Sequence, residues 1–288
     1  MADQQAAPAG PDLSQGIALS QFSGPTLLGH VGDEEVLLVR SGAEIFAIDA
    51  HCSHYHGPLA EGLVDGASIR CPWHHACFDL RSGEATRAPA LNPLAVWNVE
   101  HEGDRIFVRQ KRAQSKPSAK AAADAPGKIV IVGGGAAGFA AAEMLRRRDY
   151  RGGIVMLSNE AAAPVDRPNL SKDYLAGSAP EDWLPLRPDD FYSGAAIDLR
   201  LNTEVKSIDT KARAVVLAGG ETIPYDRLLL ATGAEPVRLP IPGADQPHVH
   251  VLRSLADCRA IIASSDGARR AIVIGASFIG LEVAAALR

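Results

Sequence analysis

The chain has 288 residues, of which 47% are apolar, and carries a formal charge of −5 with a pI near 6.0. That length suits about two domains, and the acidic balance argues against a nucleic-acid or anionic-membrane partner. No run is long and apolar enough for membrane insertion, the start "MADQQAAPAGPDLSQG" reads as no secretory signal, and four cysteines make no disulfide framework, so a reducing cytoplasm is expected.

The first hundred residues read as short strands, "EVLLVR", "EIFAID", "AVWNVE" and "RIFVRQ", broken by Gly, Asp and Pro clusters. They define an all-β module over 13–110. The segment "KRAQSKPSAKAAADAPG", 111–127, has no apolar period and reads as a linker. As a flexible coil it spans about 20–25 Å.

Inside the β module stands "CSHYHGPLAEGLVDGASIRCPWHHACFD". Cys52-x-His54 is followed, after sixteen residues, by Cys71-x-x-His74. Two thiolates and two imidazoles can ligate tetrahedral zinc or a [2Fe–2S] cluster, and the same residues can also form a ligand-free loop. A single residue between the first two ligands suits a pair that reaches different irons. Both boxes, with Gly57-Pro58 after the first and Pro72 in the second, resemble the Rieske family. The resemblance implies thiolates of Cys52 and Cys71 on one iron and imidazoles of His54 and His74 on the other. Respiratory Rieske proteins carry a disulfide between their loops, and its positions here are Gly57 and Trp73. Their cluster-side serine and tyrosine match Ala76 and Phe78, which donate no hydrogen bond, so a low reduction potential is expected. His56, His75 and Cys77 flank the ligands as ordinary loop residues, or as parts of a docking or proton-coupling surface.

From Lys128 the texture changes. "KIVIVGGGAAGFAAAEMLRRR" is a buried strand, a glycine turn and an Ala-rich helix, and "GGIVMLS" is the next parallel strand. Gly133-x-Gly135-Ala136-Ala137-Gly138 has the spacing that brings backbone against a pyrophosphate at a helix N-terminus. A ribose ligand is expected at the end of the second strand, where Asn159 and Glu160 both qualify. "EVKSIDTKARAVVLAGGETIPYDRLLLATG" reads as a β-meander returning to a buried strand. The helical "SLADCRAIIASS" then leads into "RRAIVIGASFIGLEVAAALR", a second strand, glycine turn (Gly275-x-Ser277-x-x-Gly280) and helix.

"DRPNLSKDYLAG" resembles the "RPxLSK" segment of FAD-dependent NADH:ferredoxin reductases and apoptosis-inducing-factor-like flavoproteins. That resemblance implies Arg167 near the FAD pyrophosphate and Lys172 beside the flavin ring, with Val165 in place of the family's usual aromatic. It also implies Ala231, Thr232 and Gly233 along the FAD, Val205 at the adenine through its backbone, and Arg253 on the FAD, unless Arg253 is a plain surface residue. Glu282 matches a partner of Lys172, and the second turn matches the NAD(P)H site; NAD and NADP are not distinguished. Residues 139–257 contain no cysteine, so no dithiol passes electrons here.

The whole resembles a Rieske domain fused to the first parts of α/β, Rossmann-like, glutathione-reductase-type FAD (128–240) and NAD(P)H (241–288) domains, the latter incomplete. The implied activity takes electrons from NAD(P)H through FAD to the cluster and an unidentified protein or small-molecule acceptor. The rival readings are a slow redox-sensing or protein-interaction module, and a Rieske carrier with a degenerate flavin tail.

Overall fold

The computed structural model describes residues 8–113 and 125–288. Of the expected linker, 114–124 lies outside the described residues. The chain divides into two compact units, Met1–Lys116 and Pro117–Arg288.

The first unit is all-β. Its larger sheet contains β1 (Ile17–Ala18), β2 (Thr26–Val31), β3 (Glu34–Ser41) and β4 (Glu44–Asp49). A smaller sheet follows, of β5 (Leu63–Asp65), β6 (Ser68–Arg70), β7 (Cys77–Asp79) and β8 (Ala85–Arg87), and then β9 (Val96–Glu102) and β10 (Arg105–Lys111) return to the first. The orders are β1-β10-β9-β4-β3-β2 and β5-β6-β7-β8. Strand β3 explains the layering. Val36, Leu37, Leu38 and Val39 are all fully buried, and a strand's side chains alternate between faces. Leu37 and Val39 therefore join one core with Ile48, Ile69, Phe78 and Leu80, while Val36 and Leu38 join a second with Leu13, Trp97, Ile106 and Val108. The first of these cores also contains Cys52, Cys71 and Ala76, so the ligand loops are rooted in packed apolar side chains.

The second unit opens on a parallel sheet. β11 (Lys128–Val132) leads through the glycine turn into α1 (Ala136–Arg147), and β12 (Gly153–Leu157) pairs parallel with β11. After the short α2 (Asp190–Gly194) comes β13 (Ile197–Arg200), then the antiparallel meander β14 (Val205–Asp209), β15 (Ala214–Leu217) and β16 (Thr222–Pro224). β17 (Arg227–Leu230) returns to β11, giving the order β13-β12-β11-β17. Val130, Val132, Val155 and Leu157 of the sheet pack on Val215, Leu217 and Ile223 of the meander. Two helices complete the unit, α3 (Leu255–Ser265) and α4 (Phe278–Ala286).

One expected element is absent. "AIVI", residues 271–274, forms no strand, and Ile272 and Ile274 are exposed. A parallel strand needs a neighbour to satisfy its backbone groups, and none of the described residues supplies one. The helix after it forms nonetheless, because its hydrogen bonds are internal. β17 is likewise an edge strand on one side, with Leu230 58% exposed.

Candidate functional site

The two Cys/His loops share one backbone design. In the first, Cys52 N–H donates to Gly57 O (2.9 Å) and His56 N–H to Cys52 O (3.0 Å); in the second, Cys71 N–H donates to Ala76 O (2.9 Å) and His75 N–H to Cys71 O (3.1 Å). His56 and His75 occupy the same left-handed position in each loop, at φ 55° and 61°. Each loop thus curls around its own cysteine. Cys52 and Cys71 are 1% and 2% exposed and lie side by side, while the imidazoles of His54 and His74 meet edge to face with centroids 5.1 Å apart. Tyr55 stacks on His54 (4.1 Å) and meets His74 edge-on (5.7 Å).

Burial holds the Cys52 thiol above its ordinary value and the neighbouring Cys71 adds to this, while the backbone N–H groups of His54 and Tyr55 act in the opposite direction. A desolvated sulfur with amide donors beside it is suited to a metal-bound thiolate. Among the described residues no group of three or more His, Cys, Asp or Glu side chains could hold a single ion. A Rieske centre divides its ligands two and two between its irons. The paired thiols and paired imidazoles fit that arrangement. The two positions expected to replace the inter-loop disulfide are neighbours: a Cβ on Gly57 would lie 3.2 Å from the Trp73 ring. Ala76 and Phe78 are fully buried.

The glycine turn of the second unit is built for close approach. Gly133 has φ 119°, and a Cβ there would sit 2.1 Å from Ala231 O. A Cβ on Gly138 would meet Gly133 O at 2.0 Å, so helix and strand close over the turn only because both positions are glycine. Gly135 caps α1, and Ala136 and Ala137 form its first turn. Beside it lies a cavity of about 790 Å³ whose lining includes Gly133, Asn159, Glu160, Arg167, Val205, Thr232 and Arg253. Seven residues expected on one dinucleotide therefore meet around one space.

Arg167 comes from a 3-10 turn, Arg167–Ser171. Its guanidinium pairs with Glu160, donates to Arg253 O at 2.9 Å, and lies 3.6 Å from where a Cβ on Gly135 would stand. Glu160, rather than Asn159, thus holds the arginine, and both line the cavity. Arg253 is exposed yet lines the cavity, with its Nη2 2.7 Å from where a Cβ on Gly233 would stand. A capping box between Ser254 and Asp257 fixes the α3 end next to it. Sequence reasoning missed Thr203, Glu204, Glu235 and Arg238, which also line the cavity, Glu204 beside Val205 and Glu235 just after the Ala231–Gly233 motif.

Lys172 is not part of that lining. It pairs with Glu282 of α4 at 3.0 Å, the pairing that the family resemblance implied. Ser171 donates to the same carboxylate oxygen at 2.6 Å. These contacts, Ser171 first, hold Glu282 below the ordinary carboxylate range. In the second glycine turn Gly275 has φ 112°, Ser277 caps α4, and a Cβ on Gly280 would lie 2.0 Å from Gly275 O. This repeats the approach of Gly138 to Gly133 O, while a Cβ on Gly275, unlike one on Gly133, would meet nothing within 4 Å.

The family comparisons agree with this geometry. Residues 127–288 match the pyridine nucleotide-disulphide oxidoreductase family and residues 19–98 the Rieske [2Fe-2S] domain. The chain belongs to the pyridine nucleotide-disulphide oxidoreductase family, and its N-terminal unit is a Rieske domain. FAD and NAD(H) are the cofactors of that family's fold. Human "Apoptosis-inducing factor 3" is 34% identical over 269 residues, 90% of this chain and 44% of that protein. "Rubredoxin-NAD(+) reductase" of Pseudomonas putida is 42% identical over 158 residues, 55% of this chain and 41% of that protein. Among solved structures, a covalent putidaredoxin reductase–putidaredoxin complex aligns with TM-score 0.52 and 36% identity, over 56% of this chain and 39% of that one. The chain spans less than half the length of the curated relatives it matches. No helix among the described residues is long and apolar enough to cross a membrane.

Proposed function

We propose that the protein of which this chain forms part is an NAD(P)H-dependent FAD oxidoreductase that delivers electrons to its own Rieske cluster and then to an acceptor, in a reducing compartment such as the cytoplasm. The observation that carries this reading is the pairing of two Cys/His loops and a glycine-turn cavity within one chain. The matched reductases named for rubredoxin and putidaredoxin support a redox-protein acceptor.

FAD supplies hydride acceptance with one-electron donation, and the cluster supplies single-electron carriage. The residues do the rest. Cys52 and Cys71 hold one iron and His54 and His74 the other, so the replacement of sulfur by neutral nitrogen sets the potential. Buried Ala76 and Phe78 offer no hydroxyl, which leaves the added negative charge less stabilised. On the flavin side, the α1 N-terminus and the Arg167 guanidinium bind the pyrophosphate. Asn159 and Glu160 serve the ribose, Val205 the adenine, and Ala231, Thr232, Gly233 and Arg253 the remainder. Lys172 places a cation where reduced flavin gathers negative charge, and Glu282 orients it. Gly275, Ser277 and Gly280 take NAD(P)H. In this reading 128–240 and 241–288 are the FAD and NAD(P)H portions, and 111–127 tethers the Rieske domain, 13–110.

The test is Cys71→Ser in the FAD-containing protein. NADH should still bleach the flavin, while turnover with a one-electron acceptor is lost. Unchanged acceptor turnover would remove the cluster from the path.

A further inference from the structure

Ser171 closes the turn that carries Arg167 and is only 4% exposed, although its side chain is polar. Its Oγ reaches Glu282 Oε2 at 2.6 Å, and Lys172 Nζ reaches the same oxygen at 3.0 Å. Both side chains also approach Pro168 O, at 3.2 Å and 3.1 Å. A hydroxyl has one proton to donate, and the shorter contact with the charged acceptor claims it. An ammonium has three, so Lys172 can serve Glu282 and Pro168 together.

The two donors differ in setting. Lys172 is a flexible, half-exposed side chain, and an ion pair of that exposure fixes little by itself. Ser171 is short and buried, so its hydrogen bond confines Glu282 at small entropic cost. The packing beneath, where Val283, Ala286 and Leu287 lie against the cluster that contains Leu170, is apolar. Such contacts do not fix the angle of α4 about its own axis.

We propose that Ser171 is a positioning residue: its hydroxyl anchors Glu282, and through Glu282 it aims the Lys172 ammonium and sets α4, with its nucleotide turn, against the flavin segment. The inference rests on the reading of Lys172 as the cation beside the flavin. It adds a third member to the pair and makes the serine, rather than the lysine, its fixed point.

The experiment compares Ser171→Ala, Ser171→Thr, Lys172→Met and Glu282→Gln, with the Ser171→Ala/Glu282→Gln double variant, in the FAD-loaded protein. FAD content, the flavin midpoint potential without nucleotide, and the pH profile of single-turnover flavin reduction by NADH are measured. Ser171→Ala should retain FAD, shift the potential to a more negative value, and slow reduction by about tenfold, roughly the effect of one charge-assisted hydrogen bond. Its acid limb should move to higher pH, because a donor that lowers the Glu282 pKa is gone. Threonine should restore all three readouts, and Ser171→Ala should cost nothing further in the Glu282→Gln background. Wild-type behaviour of Ser171→Ala beside an impaired Lys172→Met overturns the proposal, as does full additivity with Glu282→Gln. If Lys172→Met leaves potential and rate unchanged, the underlying reading of the lysine fails instead. Should Ser171→Ala lose FAD, Ser171→Cys carries the same readouts: intermediate values support the anchor, and wild-type values overturn it.

Discussion

Gly57 and Cys71 approach so closely that a Cβ on the glycine would lie 2.8 Å from the cysteine Sγ. The two ligand loops are otherwise matched, but the second carries Ala76 at the place corresponding to Gly57. A methyl group is accommodated on one side of the pair and not on the other. Gly57→Ala should therefore displace the Cys71 sulfur and lower cluster retention, at a cost of about 1–3 kcal/mol for overpacking. Iron and acid-labile sulfide per chain check this, with Ala76→Gly as the control that retains both.

Ala76 and Phe78, buried and without hydroxyls, make their own prediction. Ala76→Ser and Phe78→Tyr each place an oxygen at positions matching hydroxyl donors in respiratory Rieske proteins. One new hydrogen bond of roughly 1.4 kcal/mol to the reduced cluster raises a one-electron potential by about 60 mV. Redox titration followed by EPR measures the shift. A fall in potential for either variant would contradict the account.

Arg167 joins Glu160, the Arg253 carbonyl and the glycine turn. Arg167→Ala should weaken FAD binding by about 10- to 100-fold, the loss of one or two charge-assisted contacts. Arg167→Lys should recover only part of this, because an ammonium cannot reproduce the guanidinium fork. Fluorescence of released flavin reports both.

Glu181 is held down to about 2 by hydrogen bonds from Arg259 and Tyr174. A carboxylate with a depressed pKa adds stability above its unfolded value, and that contribution disappears as pH falls from about 4.5 to about 2. Because Glu181 and Arg259 are both half-exposed, the contribution is below about 1 kcal/mol. Glu181→Gln should flatten the melting temperature against pH across that acid window and leave it unaltered near neutrality.

How much of this was legible beforehand follows from the physics of each part. β3 is legible as a short strand because four consecutive apolar residues lie between turn signals, whereas its burial on both faces emerges only from the fold. The glycine turn was equally plain, since Gly133 and Gly138 stand where backbone touches backbone. The small sheet under the ligand loops was not, because three-residue strands carry no readable period. Local propensity makes "AIVI" a strand, but pairing decides, and none of the described residues pairs with it. Within the site, motifs located Arg167, Lys172 and Glu282. Ser171 was missed because its role comes from a contact with Glu282, far away in sequence, and Arg238 and Glu235 because only the fold brings them to the cavity wall. For the ribose ligand, spacing to the downstream motif points to Asn159 and charge to Glu160, and the side-chain pairing with Arg167 separates their surroundings.

The central claim is that one chain joins a two-iron cluster to a flavin that nicotinamide nucleotide reduces. An EPR and absorption series on anaerobic protein, recorded before and after one equivalent of NADH, tests it most directly. The account predicts flavin bleaching together with a rhombic signal from a reduced cluster with mixed sulfur and nitrogen ligation. Flavin bleaching with no such signal, in protein that contains zinc and no acid-labile sulfide, would contradict it.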